Sequence, residues 1–133
     1  MTPKTFTGRT VGGAIATIQC PSWCVTDHDY WEDTADDCFH QSDLLELDIP
    51  RDRARYRPTV VPALAAELRM HSTDQTPAGA TLWVQFSEYK ADGLELDLAG
   101  VDHLLKSLDD YRAGLAKLRG QLARIDSERR TNR

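Results

Sequence analysis

Five side chains of the kinds that bind transition metals lie between positions 20 and 40. Cys20, Cys24 and His28 are separated by three residues each, and Cys38 and His40 follow after a longer gap. A structural zinc site usually takes two ligands from a tight turn and two from a later segment. The spacing therefore predicts a zinc site formed by Cys20, Cys24, His28 and one of the two later residues. Because Cys38 and His40 lie two apart on a possible strand, both would point to one face, and spacing does not choose between them.

The segment around these residues is strongly acidic. No Lys or Arg occurs between Arg9 and Arg51, whereas nine carboxylates lie between positions 27 and 48. These are Asp27, Asp29, Glu32, Asp33, Asp36, Asp37, Asp43, Glu46 and Asp48. Such a concentration of negative charge favours a bound cation.

Other interpretations of the cysteines stay open on the residues alone. Cys20 and Cys24 could be small buried hydrophobic residues or a disulfide, and Cys24 could be a nucleophile beside His28. An iron–sulfur cluster would usually take about four thiolates, and the chain has three. An odd number of cysteines suits a reducing compartment, where clustered Cys and His are more often metal ligands than disulfide partners.

Length and composition are those of one globular domain. The chain has 133 residues, of which 41% are hydrophobic and 28% charged, enough for a single modest core. No apolar run approaches the roughly 18 residues of a membrane-spanning helix, and the N-terminus lacks the apolar stretch of a signal peptide, so we expect a cytoplasmic protein. We expect a flexible arm over residues 1–13, one zinc-stabilised domain over 14–127 and a basic tail over 128–133.

Period-two alternation predicts an antiparallel β meander of three or four strands, preceded by a short strand over 14–18 that leads into the first cysteine. Leu45, Leu47 and Ile49 alternate with acids and predict a half-buried strand whose leucine face points to the core. Residues 63–71 also alternate, although their composition suits a helix as well. The clearest strand covers 81–86, and Asp92-Gly93 predicts a hairpin turn after it. Residues 51–62, with four arginines and flanking prolines, predict an exposed connector, and 72–79 a turn.

The C-terminal part predicts a long α-helix. Apolar residues recur there with alternating steps of three and four residues, and we call these eight residues the apolar seam. They are Val101, Leu104, Leu108, Tyr111, Leu115, Leu118, Leu122 and Ile125. Asp97 is the expected N-cap, and a helix over 98–124 would be about 40 Å long. We expect its first half to pack on the sheet and its second half to form a coiled-coil seam, which predicts a weak homodimer.

The Cys20-Pro-Ser-Trp-Cys24 turn with His28, followed by His40-Gln-Ser, a strand and an Asp-capped helix, resembles a family of small actinobacterial proteins grouped as a domain of unknown function. The resemblance covers about Ile18 to Ile125, and its specific part is the Cys-Pro-x-Trp-Cys-x3-His motif. It implies an α+β fold with a small antiparallel meander, an N-terminal metal-binding loop and a long C-terminal helix. It also implies Cys20, Cys24, His28 and His40 as the metal ligands, with Cys38 as an addition in this chain.

These features favour a non-enzymatic, zinc-stabilised interaction or regulatory module whose partner is another protein or a second copy. No phosphate loop, nucleophile elbow or His-Glu-x-x-His helix occurs. A metallohydrolase would need an open zinc position and a nearby acid, for which Asp29 or Glu32 could serve. The alternative is a nucleic-acid-associated regulator that uses the basic C-terminal end, although the acidic body argues against wrapping duplex nucleic acid. The basic residues of that end are Lys117, Arg119, Arg124, Arg129, Arg130 and Arg133.

Overall fold

The structure is a computed structural model that describes residues 4–50, 53, 64–74, 79–87, 89 and 91–132. The chain divides into two units, Met1–Asp97 and Leu98–Arg133. Within the described residues, the first unit contains seven strands and the second one α-helix. The elements are β1 (Thr5–Arg9), β2 (Ile15–Gln19), β3 (Phe39–Gln41), β4 (Leu45–Glu46), β5 (Ala65–His71), β6 (Thr81–Gln85), β7 (Gly93–Leu96) and α1 (Leu98–Thr131). The α+β class with antiparallel strands and a long C-terminal helix is confirmed.

The first two strands form a hairpin. β1 pairs with β2 in antiparallel register, with Thr5 opposite Gln19. Gly13, at a φ of 86°, takes the left-handed conformation in the turn, and its N–H donates to the carbonyl of Thr10 at 3.0 Å. The flexible arm predicted over 1–13 is therefore wrong for Thr5–Arg9. Gly12 and Gly13 are part of the turn that allows the strands to pair.

The remaining strands form a second sheet in the order β3-β5-β6-β7, with β4 also paired to β5. All of its pairings are antiparallel, and β5, β6 and β7 follow one another as the predicted meander requires. The strand prediction for 63–71 is confirmed by β5, and the prediction for 81–86 by β6. The predicted hairpin between β6 and β7 forms, but the prediction that Asp92-Gly93 is its turn is wrong. Gly93 lies in β7 opposite Gln85, and the N–H of Phe86 donates to the carbonyl of Asp92 at 2.9 Å, so the connection lies between Phe86 and Asp92.

β3 and β4 lie end to end along the same side of β5, with a one-residue change of register between them. Gln41 lies opposite Arg69, whereas Leu45 lies opposite Ala66, so three residues on one side face two on the other. The hydroxyl of Ser42 fills the gap by accepting a backbone N–H of β5 at 2.8 Å. This bulge changes the course of the edge strand directly after the residues that belong to the site described below.

The predicted leucine face of the strand over 45–49 does not lie in the core. Leu45 is 74% exposed and Leu47 is 56% exposed, while Met70 on β5 and Val84 on β6 are buried. Only two residues of this segment form β4. Alternation fixes which side chains share a face of a strand, but whether that face is covered depends on other parts of the fold.

α1 is longer than predicted. It spans 34 residues, so it is about 51 Å long and continues seven residues beyond Arg124. Asp97 directly precedes the helix, at the predicted N-cap position. The predicted basic tail over 128–133 is helical as far as Thr131, and α1 contains no buried residue. No described helix is long and apolar enough to cross a membrane.

Two predictions fall largely outside the described residues. Of the predicted connector over 51–62, the structure describes Arg53, which is exposed. Of the predicted turn over 72–79, it describes Ser72, Thr73, Asp74 and Gly79. The N–H of Asp74 donates to the carbonyl of His71 at 3.0 Å, as in a β-turn at the end of β5.

Candidate metal centre

The first two thiols are held by a tight turn at the end of the hairpin. The N–H of Cys20 donates to the carbonyl of Lys4 at 2.7 Å, which extends the β1–β2 ladder by one pair. The N–H of Cys24 donates to the carbonyl of Pro21 at 3.0 Å and closes a four-residue turn, in which the proline ring restricts the backbone. Trp23 is partly buried and packs against a cluster of buried residues that includes both thiols. The turn therefore brings both thiols into the interior, where Cys20 is 3% and Cys24 is 7% exposed.

His28 begins an acidic loop that has no regular secondary structure but is ordered by its own hydrogen bonds. A carboxylate oxygen of Asp27 accepts the N–H of Tyr30 at 3.1 Å, and the carbonyl of His28 accepts the N–H of Asp33 at 3.0 Å. Between them, Glu32 has a φ of 51°, a left-handed conformation that is uncommon for a residue other than glycine. The chain reverses here, and Asp33 returns to the side chain of His28.

The Asp33 carboxylate fixes the orientation of the His28 ring. Nδ1 of His28 donates to Oδ2 of Asp33 at 2.8 Å, and Nε2 lies 3.8 Å from Sγ of Cys24. On its other side, the imidazole stacks on the ring of Phe6, with 4.9 Å between the centroids. Histidine ligands of metals commonly donate their second ring N–H to a carboxylate in this way. The arrangement leaves Nε2 free to act as a ligand on the side of the thiols.

His40 reaches the same place from the edge of the second sheet. It lies on β3 opposite Met70, is 1% exposed, and meets the His28 ring edge-on at 5.3 Å between centroids. The N–H of Val25 donates to the carbonyl of Gln41 at 2.9 Å and joins the cysteine turn to β3. The strand thus delivers one histidine to the turn that carries the two cysteines.

Four predicted site residues come together and are all buried: Cys20, Cys24, His28 and His40, which we call the Cys/His cluster. One ligand atom from each lies within 4.8 Å of all the others. In tetrahedral zinc sites with Zn–S bonds of ~2.3 Å and Zn–N bonds of ~2.0 Å, neighbouring ligand atoms are separated by about 3.6 Å. The 3.8 Å between Sγ of Cys24 and Nε2 of His28 is close to that value. The cluster could hold one metal ion after small side-chain shifts.

The chemistry of the buried donors also fits a cation. Within the described part of the chain, neither ring nitrogen of His40 has a hydrogen-bond partner, although both are inaccessible to solvent. Burial lowers the pKa of His40, and the neighbouring His28 and His71 act in the same direction, so the ring is held in the neutral form that binds metals. Burial, together with the adjacent Cys24 thiol, raises the pKa of Cys20 to about 11. A thiolate in this position needs a positive charge beside it.

Cys38 lies next to the cluster but belongs to a different group. Its sulfur lies within 4.8 Å of ligand atoms of His28 and Asp33, but it is not part of the set formed with the other two cysteines. The backbone of Cys38 is fixed by Ser72, whose N–H donates to the Cys38 carbonyl at 2.8 Å. Burial raises the pKa of this thiol as well. Asp29 and Glu32, the acids considered for a hydrolase, are exposed and belong to neither group.

Two residues of β1 support the centre and were not predicted from the sequence. Phe6 is 7% exposed and forms a wall of the centre against the His28 ring. Gly8 makes room for it, since a Cβ atom at Gly8 would lie 2.6 Å from Cζ of Phe6. Because both residues lie in the segment assigned to a flexible arm, no local pattern indicated their role. The specific role of Asp33 was also missed, since it was one of nine carboxylates in the same run.

The comparisons with known proteins give a family but no activity. The family model described as a domain of unknown function, DUF6907, matches residues 5–124. This range contains β1, both sheets, the Cys/His cluster and most of α1. No curated protein and no solved structure matches the chain.

Proposed function

The chain belongs to the DUF6907 family, whose description assigns no activity, and from its Cys/His cluster we propose that it is a non-enzymatic interaction module folded around one structural zinc ion. Cys20, Cys24, His28 and His40 would be the four ligands. The zinc ion would link the hairpin, the acidic loop and the second sheet through its bonds to these four side chains. The C-terminal helix would then be the surface offered to a partner.

The environment of His40 carries this proposal. A buried polar atom without a partner costs about 1–3 kcal/mol, and His40 has two such nitrogens in a side chain that is 1% exposed. Two thiols and an imidazole nitrogen lie within 4.8 Å of its ligand atom. A metal ion would coordinate one of these two nitrogens and would also favour the thiolate form of the neighbouring cysteines.

The donor set favours zinc among the metals. Two sulfur and two nitrogen atoms suit tetrahedral zinc, whereas calcium and magnesium prefer oxygen ligands. With four protein ligands, the tetrahedron has no open position for water or a substrate. This closed set supports a structural site over a hydrolytic one.

The composition of the buried cluster around the site supports a stabilising role for the metal. The buried cluster around the site consists of Phe6, Cys20, Cys24, Ala35 and Cys38. Three of these five residues are cysteines, and only one has a large apolar side chain. Burial of so little hydrocarbon contributes only a few kcal/mol, whereas structural zinc sites supply about 10–16 kcal/mol of apparent binding energy at neutral pH. We expect metal binding and folding of this unit to be coupled.

Elemental analysis of the purified full chain, with thiol counting, tests the proposal. We expect about one zinc per chain, and we expect Cys24→Ser to lose most of this metal together with cooperative thermal unfolding. Ser22→Ala, a change at an exposed residue of the same turn, is the matched control and should keep both. Wild-type protein with three reactive thiols and no metal after supplementation with zinc would refute the proposal.

A further inference from the structure

α1 carries an apolar seam that remains accessible along most of its length. Six of the eight seam residues are 38–70% exposed, and α1 has no buried residue. These six are Leu108, Tyr111, Leu115, Leu118, Leu122 and Ile125. A helix with so many accessible leucines on one face needs a partner for that face.

The strands that the structure describes are much shorter than α1. α1 is about 51 Å long, whereas β5, with seven residues, is about 23 Å long. A strand of that length matches less than half of the helix. The strands that the structure describes do not offer an apolar surface as long as the seam, whereas a second α1 matches it in length.

The spacing of the seam suits a second copy of the same helix. Steps of three and four residues alternate over about four heptads, long enough for a two-stranded coiled coil. The order of these steps is the same from either end of the seam. In an antiparallel pair, Val101 would lie level with Ile125 of the second copy, and Leu108 with Leu118 of the second copy. Every seam residue then has an apolar residue opposite it.

The overall charge of the two halves of α1 favours the antiparallel orientation. Residues 98–113 contain three carboxylates and two basic side chains, whereas residues 114–131 contain five basic side chains and two carboxylates. A parallel pair would place the two basic halves side by side. An antiparallel pair places the half with more carboxylates beside the half with more basic side chains of the second copy. Nearby opposite charges favour this arrangement, and salt weakens the preference.

We infer that α1 binds α1 of a second copy as an antiparallel two-stranded coiled coil through the apolar seam. This inference extends the proposed interaction function by naming the partner. The inference depends on residues outside the Cys/His cluster. A measurement of zinc content therefore tests the proposed function independently of this inference.

Sedimentation equilibrium of the zinc-loaded full chain tests the association. At tens of micromolar, wild-type protein should have twice the mass of one chain, and Leu118→Glu should have the mass of one chain while it retains its zinc. Ala123→Glu adds the same charge to the opposite side of the helix and should remain a dimer. If Leu118→Glu loses its zinc, Leu122→Glu takes its place in the comparison. A monomeric wild-type chain, or equal dissociation of the seam variant and Ala123→Glu, would overturn the inference.

Oxidative cross-linking tests the orientation. Val101→Cys chains and Ile125→Cys chains are oxidised separately and as an equal mixture, with wild-type protein as the control for the native cysteines. The antiparallel pair predicts cross-linked dimers in the mixture at a yield several-fold above that of either variant alone. Efficient cross-linking of each variant with itself would show a parallel pair and refute the antiparallel arrangement.

Discussion

The Cys/His cluster and the C-terminal helix depend on the sequence in opposite ways. At the centre, residues distant in the chain meet: Phe6 stacks on His28, and His28 meets His40 edge-on. The four residues of the Cys/His cluster are 1–7% exposed, whereas α1 has no buried residue. In α1 the backbone bonds join residues four apart, and the apolar side chains remain accessible. A change at the centre therefore affects several elements at once, whereas a change on the helix remains local.

This difference also separates two sources of stability. The first unit has a small buried cluster, in which thiols outnumber large apolar side chains, so we expect its stability to follow metal binding. The helix has no such centre, and we expect its stability to follow intrinsic propensity and association through the seam. Substitutions in each region can therefore test whether stability follows metal binding in the first unit and helix formation in α1.

The largest effect is expected from loss of the fourth ligand. His40→Ala should remove most of the bound zinc and several kcal/mol of the free energy of unfolding. Cys38→Ala, two residues earlier and also at a buried position, should retain stoichiometric zinc and cost about 1 kcal/mol. Elemental analysis and thermal unfolding of both variants measure the difference. The reverse order, with zinc lost in Cys38→Ala and kept in His40→Ala, would transfer the fourth position to Cys38.

A smaller effect is expected from loss of the carboxylate that orients His28. Asp33→Ala should weaken zinc binding by about 10–100-fold, because the hydrogen bond to Nδ1 of His28 is lost. Asp29→Ala removes the same charge from an exposed position of the same loop and should change the affinity much less. Competition with a chromophoric chelator gives both affinities. Equal losses would indicate that the acidic run acts through its overall charge and not through this hydrogen bond.

The smallest effects are expected from replacing a glycine by alanine in each of the two regions. The resulting changes in the free energy of unfolding should have opposite signs. Gly8→Ala should lower the free energy of unfolding by about 1–3 kcal/mol, because the new Cβ would overlap the Phe6 ring. Gly120→Ala should stabilise α1 by about 1 kcal/mol, since nothing lies within 4 Å of a Cβ at that position. Denaturant unfolding followed by tryptophan fluorescence and by circular dichroism reports on the two units. Stabilisation by Gly8→Ala would contradict the role assigned to Phe6.

Local patterns in the sequence predicted the elements whose structure depends on neighbouring residues. The alternation around Trp83 predicted β6, and the three-four spacing predicted α1, because side-chain periodicity acts over a few residues. Residue type and spacing likewise selected Cys20, Cys24 and His28 as candidate ligands. These features were available without knowledge of any long-range contact.

The tertiary structure decided everything that depends on contacts between distant segments. It paired β1 with β2, placed Phe6 against His28, and left Leu45 exposed on an edge strand. It also grouped His40, and not Cys38, with the other three members of the Cys/His cluster. Both residues come from one short stretch; the pairing of β3 with β5 places His40 opposite Met70, while the carbonyl of Cys38 accepts the N–H of Ser72. Spacing along the chain limits which residues can meet, but the register of strands far apart in sequence determines which of them do.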